Sequence, residues 1–170
     1  MKLVTWPDPL LNTLAKPVSE FNDEVTELVQ NMFATMVQEG GVGLAANQVG
    51  VLSQVLVVDT TVIGGSINKE FINPKLTLMD GKIICKEGCL SFPGVFVSVP
   101  RFETIAVEAQ DRTGAVFTIV ADGIDAICIQ HEIDHLAGIT FYDRLSPLKK
   151  TMHKKKFNNL INQKGKTNGI

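Results

Sequence analysis

The sequence predicts an α+β fold in which antiparallel sheets pack around one central, metal-binding helix. Three observations lead there. Short β-branched or aliphatic segments alternate with turn signals through the middle of the chain. A helical apolar stripe lies in the first half, and a helix near residue 130 is apolar nearly all round yet carries two histidines.

In chain order, Val25, Leu28, Val29, Met32, Phe33, Met36 and Val37 recur at i, i+3, i+4, i+7, i+8, i+11 and i+12. That is one stripe on an amphipathic helix of about four turns. Asn22 or Asp23 suits its N-cap and Gly40-Gly41 its stop. Residues 54–59 are aliphatic and too few for a helix, so they read as a buried strand; residues 71–79, 82–86, 105–110 and 116–120 read as further strands. Asp80-Gly81, residues 91–94 with Pro93, and residues 111–114 separate them by links short enough for antiparallel pairing. Gly123–Leu136 is the central helix, and Gly138 ends it. A C-terminal helix begins at Ser146-Pro147, a cap followed by proline at the first helical position, and runs to about Gln163; residues 165–170 are expected to fray.

At 170 residues the chain fits one domain, 1–170, able to bury a core without disulfides. Hydrophobic residues at 45% and charged residues at 20% are ordinary for a soluble globular protein. No signal peptide or membrane-length apolar run is apparent, so a cytoplasmic place is expected. Three cysteines without an export signal imply thiols rather than a disulfide framework. The net charge of −2 hides an asymmetry. Residues 144–170 hold eight of the 16 Lys and Arg and no acidic residue, making residues 146–170 a basic helix and tail suited to a polyanion such as RNA.

His131-Glu132-Ile133-Asp134-His135 places two imidazoles one turn apart on that helix with a carboxylate beside them. A hydrolytic metal centre needs a third protein ligand and an open position. Cys89, in Glu87-Gly88-Cys89-Leu90-Ser91 and 42 residues before His131, supplies it from another element, at a turn where neighbouring backbone N–H groups stay free. His153 lies among lysines, outside the chemistry, and Cys85 and Cys128 read as small core residues. Gly41-Val42-Gly43-Leu44-Ala45-Ala46-Asn47-Gln48 lets a backbone approach closely before a polar amide.

With these three segments in order, the chain resembles the peptide deformylases, whose motifs read Gly-φ-Gly-φ-Ala-Ala-x-Gln, Glu-Gly-Cys-Leu-Ser and Gln-His-Glu-x-Asp-His, φ being apolar. The likeness extends from Pro7-Asp8-Pro9-Leu10 through Val99-Pro100-Arg101 to Leu145-Ser146-Pro147-Leu148. It implies removal of the formyl group from N-formylmethionyl peptides by a monomeric enzyme. Cys89, His131 and His135 would hold one divalent metal ion, Fe2+ in the cell, with Zn2+, Ni2+ or Co2+ in purified protein. The same resemblance makes Glu132 the proton carrier, and Gln48 and the Leu90 N–H the donors to the oxyanion. Val42, Gly43, Gly88 and Leu90 would bind an extended peptide, and Ile127 and Cys128 would line the methionine pocket. Arg101 would assist substrate or hold a surface ion pair, and the basic C-terminal helix would contact ribosomal RNA. The rivals are a metalloendopeptidase with the same helix motif, and an RNA-binding module whose metal is structural.

Overall fold

A computed structural model describes the backbone of residues 1–167 and the side chains of residues 1–159 and 162. Helix α1 (Asp23–Gln38) starts where Asn22 Oδ1 accepts the Val25 N–H at 3.2 Å, and Gly40 follows its end at φ +69. Val29, Met32 and Met36 are fully buried, as the stripe requires. Val37 is not: it is 67% exposed. At about 100° per residue it lies roughly 100° from the midline of the other six, so it points sideways off the buried face.

Seven strands follow: β1 (Gly43–Ala45), β2 (Val55–Asp59), β3 (Asn68–Asp80), β4 (Ile83–Glu87), β5 (Val97–Arg101), β6 (Thr104–Gln110) and β7 (Val116–Asp122). β1-β2-β3-β6-β7 form an antiparallel sheet, and β4-β5 form a separate antiparallel pair. All five expected strands are present, and β1 and β5 join them. β3 bends where Asn73 takes φ 51 ahead of Pro74, beside a shift of register against β6. Asn73 fastens that bend to the N-terminal segment, accepting the Val18 N–H at 2.8 Å and donating to the Val18 oxygen at 2.9 Å.

Helix α2 (Gly123–Leu136) lies on one face of this sheet and α1 on the other. The alternation of β2 explains how one strand serves both: Leu56 and Val58 pack with Ala126 and Ile129 of α2, while Val55 and Val57 pack with Val29, Met32 and Met36 of α1. α2 is thereby clamped along its length, and Gly138 turns the chain away at φ +71.

Helix α3 (Pro147–Thr167) begins as expected, with Ser146 Oγ accepting the Lys149 N–H at 3.3 Å. It runs past Gln163, and residues 168–170 of the stretch expected to fray lie outside the described residues. Phe157 anchors it, buried in a cluster with Phe92 and Phe141 and packed 5.6 Å from Trp6 and 4.6 Å from Tyr142, ring centre to ring centre. Among the described residues, no helix is long and apolar enough to cross a membrane.

Candidate metal centre

Because α2 is buried on both sides, residues four apart on its inner face are held with little freedom. His131 and His135 stand edge to face with ring centres 4.9 Å apart. Cys89 comes from the turn after β4, closed by the Phe92 N–H donating to the Cys89 oxygen at 2.9 Å. Its Sγ lies 3.2 Å from His135 Nε2, and one donor atom from each of the three residues lies within 4.8 Å of the other two.

This geometry fits a divalent cation. His131 Nδ1 is 2.8 Å from Glu87 Oε2, and a carboxylate there can only accept, so Nδ1 carries the proton and Nε2 keeps its lone pair. Burial alone would hold that ring neutral, yet Cys89, Glu87 and Glu132 around it raise its pKa well above the usual value. Surroundings that draw a second proton onto an imidazole equally favour a metal ion in its place. Burial, with the charges of His131 and Arg101, holds His135 well below its usual value, in the neutral ligating form.

Glu132 follows His131 and is almost wholly buried, with Oε2 unpartnered among the described residues. Burial pushes its carboxyl up to about 7, against the opposing charges of His131 and Arg101. Gly43 explains itself here, because a Cβ on it would lie 2.4 Å from Glu132 Oε1. Gln48 accepts the Ala45 N–H through Oε1 at 2.8 Å, which turns its NH2 toward Ser91 Oγ at 3.2 Å and Cys89 Sγ at 3.5 Å. The Leu90 N–H has no partner among the described residues.

A cavity of about 540 Å³ opens beside these groups. Val42, Gly43, Gly88 and Leu90 line it, together with Ile127, Cys128, His131 and Glu132. Burial pushes the Cys128 thiol up to about 12, so it is a neutral wall. Arg101 is elsewhere. It is neither at the cavity nor on the surface, but 4% exposed, with Nε 2.6 Å and Nη2 2.8 Å from Glu87 and Nη1 2.5 Å from Asp134. Arg144 also binds Asp134, which completes a chain from His131 through Glu87 and Arg101 to the start of the C-terminal segment. Within it burial opposes ionisation of Glu87, but Arg101 and His131 bring its carboxyl down to about 2.

Glu87, Asp134 and Asn47 acquire roles that sequence reasoning did not give them. Glu87 and Asp134 are acidic residues inside the motifs with no chemical task, and that was the available signal. Asn47 offered none beyond being polar between an alanine and a glutamine.

Fold and site fit a class: metal-dependent hydrolases in which a paired-histidine helix, a cysteine and a buried carboxylate come together. A family model described as polypeptide deformylase matches residues 1–151. The peptide deformylase of Neisseria gonorrhoeae is 46% identical over 149 residues, 88% of this chain and 89% of that protein. The chain belongs to the polypeptide deformylase family, metal-dependent hydrolases that remove the N-terminal formyl group from new peptides. Solved structures agree. A peptide deformylase from Legionella pneumophila superposes with a TM-score of 0.88 at 40% identity, covering 96% of each chain. Arabidopsis thaliana peptide deformylase 1B, solved with an inhibitor, gives 0.91 at 32% identity, covering 100% of this chain and 95% of that one.

Proposed function

We propose that Cys89, His131 and His135 hold one divalent cation, ferrous iron in the cell, and that Glu132 carries the protons as formate leaves formylmethionyl peptides. The observation that supports this most is the meeting of three donor atoms beside a buried carboxylate oxygen that no described residue engages. Zinc, nickel or cobalt suits the same sulfur and nitrogen donors. Bound there, the cation would supply Lewis acidity, lowering the pKa of water and polarising the formyl carbonyl.

The chain's own residues account for the rest. A peptide lying extended between Val42-Gly43 and Gly88-Leu90 adds a strand and sends its methionine side chain toward Ile127 and Cys128. Glu132 takes a proton from the attacking water as its oxygen bonds to the formyl carbon. The Gln48 NH2 and the Leu90 N–H receive the developing oxyanion, a contribution of roughly 2.7–4 kcal/mol for one such donor. The C–N bond breaks, Glu132 delivers the proton to the departing amine, and formate is released. The enzyme acts as a monomeric single domain in the cytoplasm or an equivalent reducing compartment, where three free cysteines are stable. Its basic C-terminal helix contacts ribosomal RNA.

Formate release from a formylmethionyl peptide, by protein prepared anaerobically with and without a chelator, tests the assignment. Glu132→Gln should keep its metal and lose about 10²–10⁴-fold in turnover. Unchanged turnover in that variant, or chelator-resistant activity in the wild type, would overturn it.

A further inference from the structure

The two histidines of the site are supported unequally. His131 hands its Nδ1 proton to Glu87, whereas His135 Nδ1 is fully buried without a hydrogen-bond partner among the described residues. An imidazole whose Nε2 faces the sulfur and a metal carries its proton on Nδ1, and a buried N–H needs an acceptor. The residue that touches His135 holds a second such atom. Asn47 is wholly buried on the 3-10 turn Ala46–Val49 and donates from Nδ2 to the His135 backbone oxygen, while its Oδ1 has no partner among the described residues. The direction of this amide is fixed, because a carbonyl only accepts: the NH2 must face it, and Oδ1 is left as the acceptor.

Resting on the ligand set proposed above, we propose that Asn47 is the positioning residue of His135, its Oδ1 receiving the Nδ1 proton through one enclosed water molecule. Such a water is the usual link between buried polar groups beyond direct bonding distance. The metal on Nε2 sets the tautomer, and Asn47 anchors the water that accepts from the Nδ1–H, holding the ring in its ligating orientation. Its partner role differs from that of Glu87 in charge: a neutral amide supports one ring and a carboxylate the other, so His131 is the more basic ligand and His135 the weaker. The same 3-10 turn carries Gln48, so one short element orients both a ligand and the amide facing substrate.

Chelator competition for zinc separates this from a purely structural asparagine. Asn47→Leu should weaken zinc binding about 10–100-fold and shift the visible spectrum of the cobalt-substituted protein, and Asn47→Thr, which keeps an acceptor, should recover part of the loss. Wild-type affinity in Asn47→Leu, with only the melting temperature of the metal-free protein lowered, would overturn the inference and leave the ligand set standing. Absence of zinc binding in the wild type would sink both. Should Asn47→Leu fail to fold, Asn47→Thr decides by NMR of the histidine-labelled, zinc-loaded protein: a His135 Nδ1 proton whose shift and exchange rate change with that substitution supports the inference, and one identical to the wild type refutes it.

Discussion

Gly43 and Glu132 meet so closely that a single methyl group becomes a test of the site. A Cβ at position 43 would overlap Glu132 Oε1 at 2.4 Å, and the carboxylate is held from behind by the buried helix that carries it. The carboxylate must therefore turn, while the short strand β1 keeps its pairing with β2. Gly43→Ala is expected to fold, to retain its metal and to lose at least about tenfold in turnover, since misplacing a catalytic group by an ångström costs on that scale or more. Parallel measurement of metal content, melting temperature and formate release checks this. Both residues were legible in the sequence, Glu132 because the spacing of its motif has a mechanism and Gly43 because small residues mark a close approach. Arg101 was not. Its burial depends on Glu87 and Asp134 arriving from a strand and a helix, and no local pattern announces that an arginine will be enclosed by two carboxylates from elsewhere.

At the scale of elements, the placement of α2 matters most, and its first turn is stitched to the loop after β2. Asp125 accepts from the Thr60 hydroxyl, from Ser66 Oγ at 2.7 Å and from the Ser66 N–H at 3.1 Å. Burial opposes its charge, but these donors bring its carboxyl below the usual value. A group whose folded pKa is depressed contributes stability above its unfolded value, near 3.8, and that contribution is lost as pH falls through the lower folded value. Asp125→Asn should cost about 1.5–3 kcal/mol at neutral pH, the worth of hydrogen bonds to a charged group, and melt less steeply with acid than the wild type below about pH 4. Identical pH profiles of the two metal-free proteins would refute this. The helix itself was readable because it is apolar on every side, and β2 because a strand buried on both faces is an unbroken aliphatic run. β1 and β5 were hidden for different reasons. β1 is three residues, too short for any alternation to show, and β5 contains Pro100, which argues against a strand unless, as here among the described residues, it pairs with β4 alone.

Across the whole molecule, charge is unevenly divided. Residues 1–143 hold all 18 Asp and Glu against eight Lys and Arg, while α3 is basic and joined to the body through Phe157 and its aromatic neighbours. Not every lysine of α3 is free to meet a polyanion: Lys149 Nζ donates to the Ser98 oxygen at 2.7 Å, and Lys150 lies over the Tyr142 ring at 4.8 Å. Lys154, Lys155 and Lys156 are exposed. If α3 grips ribosomal RNA, those three supply phosphate contacts, and replacing each by glutamate should abolish co-sedimentation with ribosomes at low salt while formate release from a short peptide is unchanged. The wild-type binding constant should fall steeply with salt, its logarithmic slope rising with the number of phosphates neutralised. A salt-insensitive association, or one that survives the triple replacement, would show that the basic face is only a solvated surface. Catalysis is the control that keeps the outcomes apart, because the aromatic anchor and the metal centre are untouched by changes on the outer side of the helix.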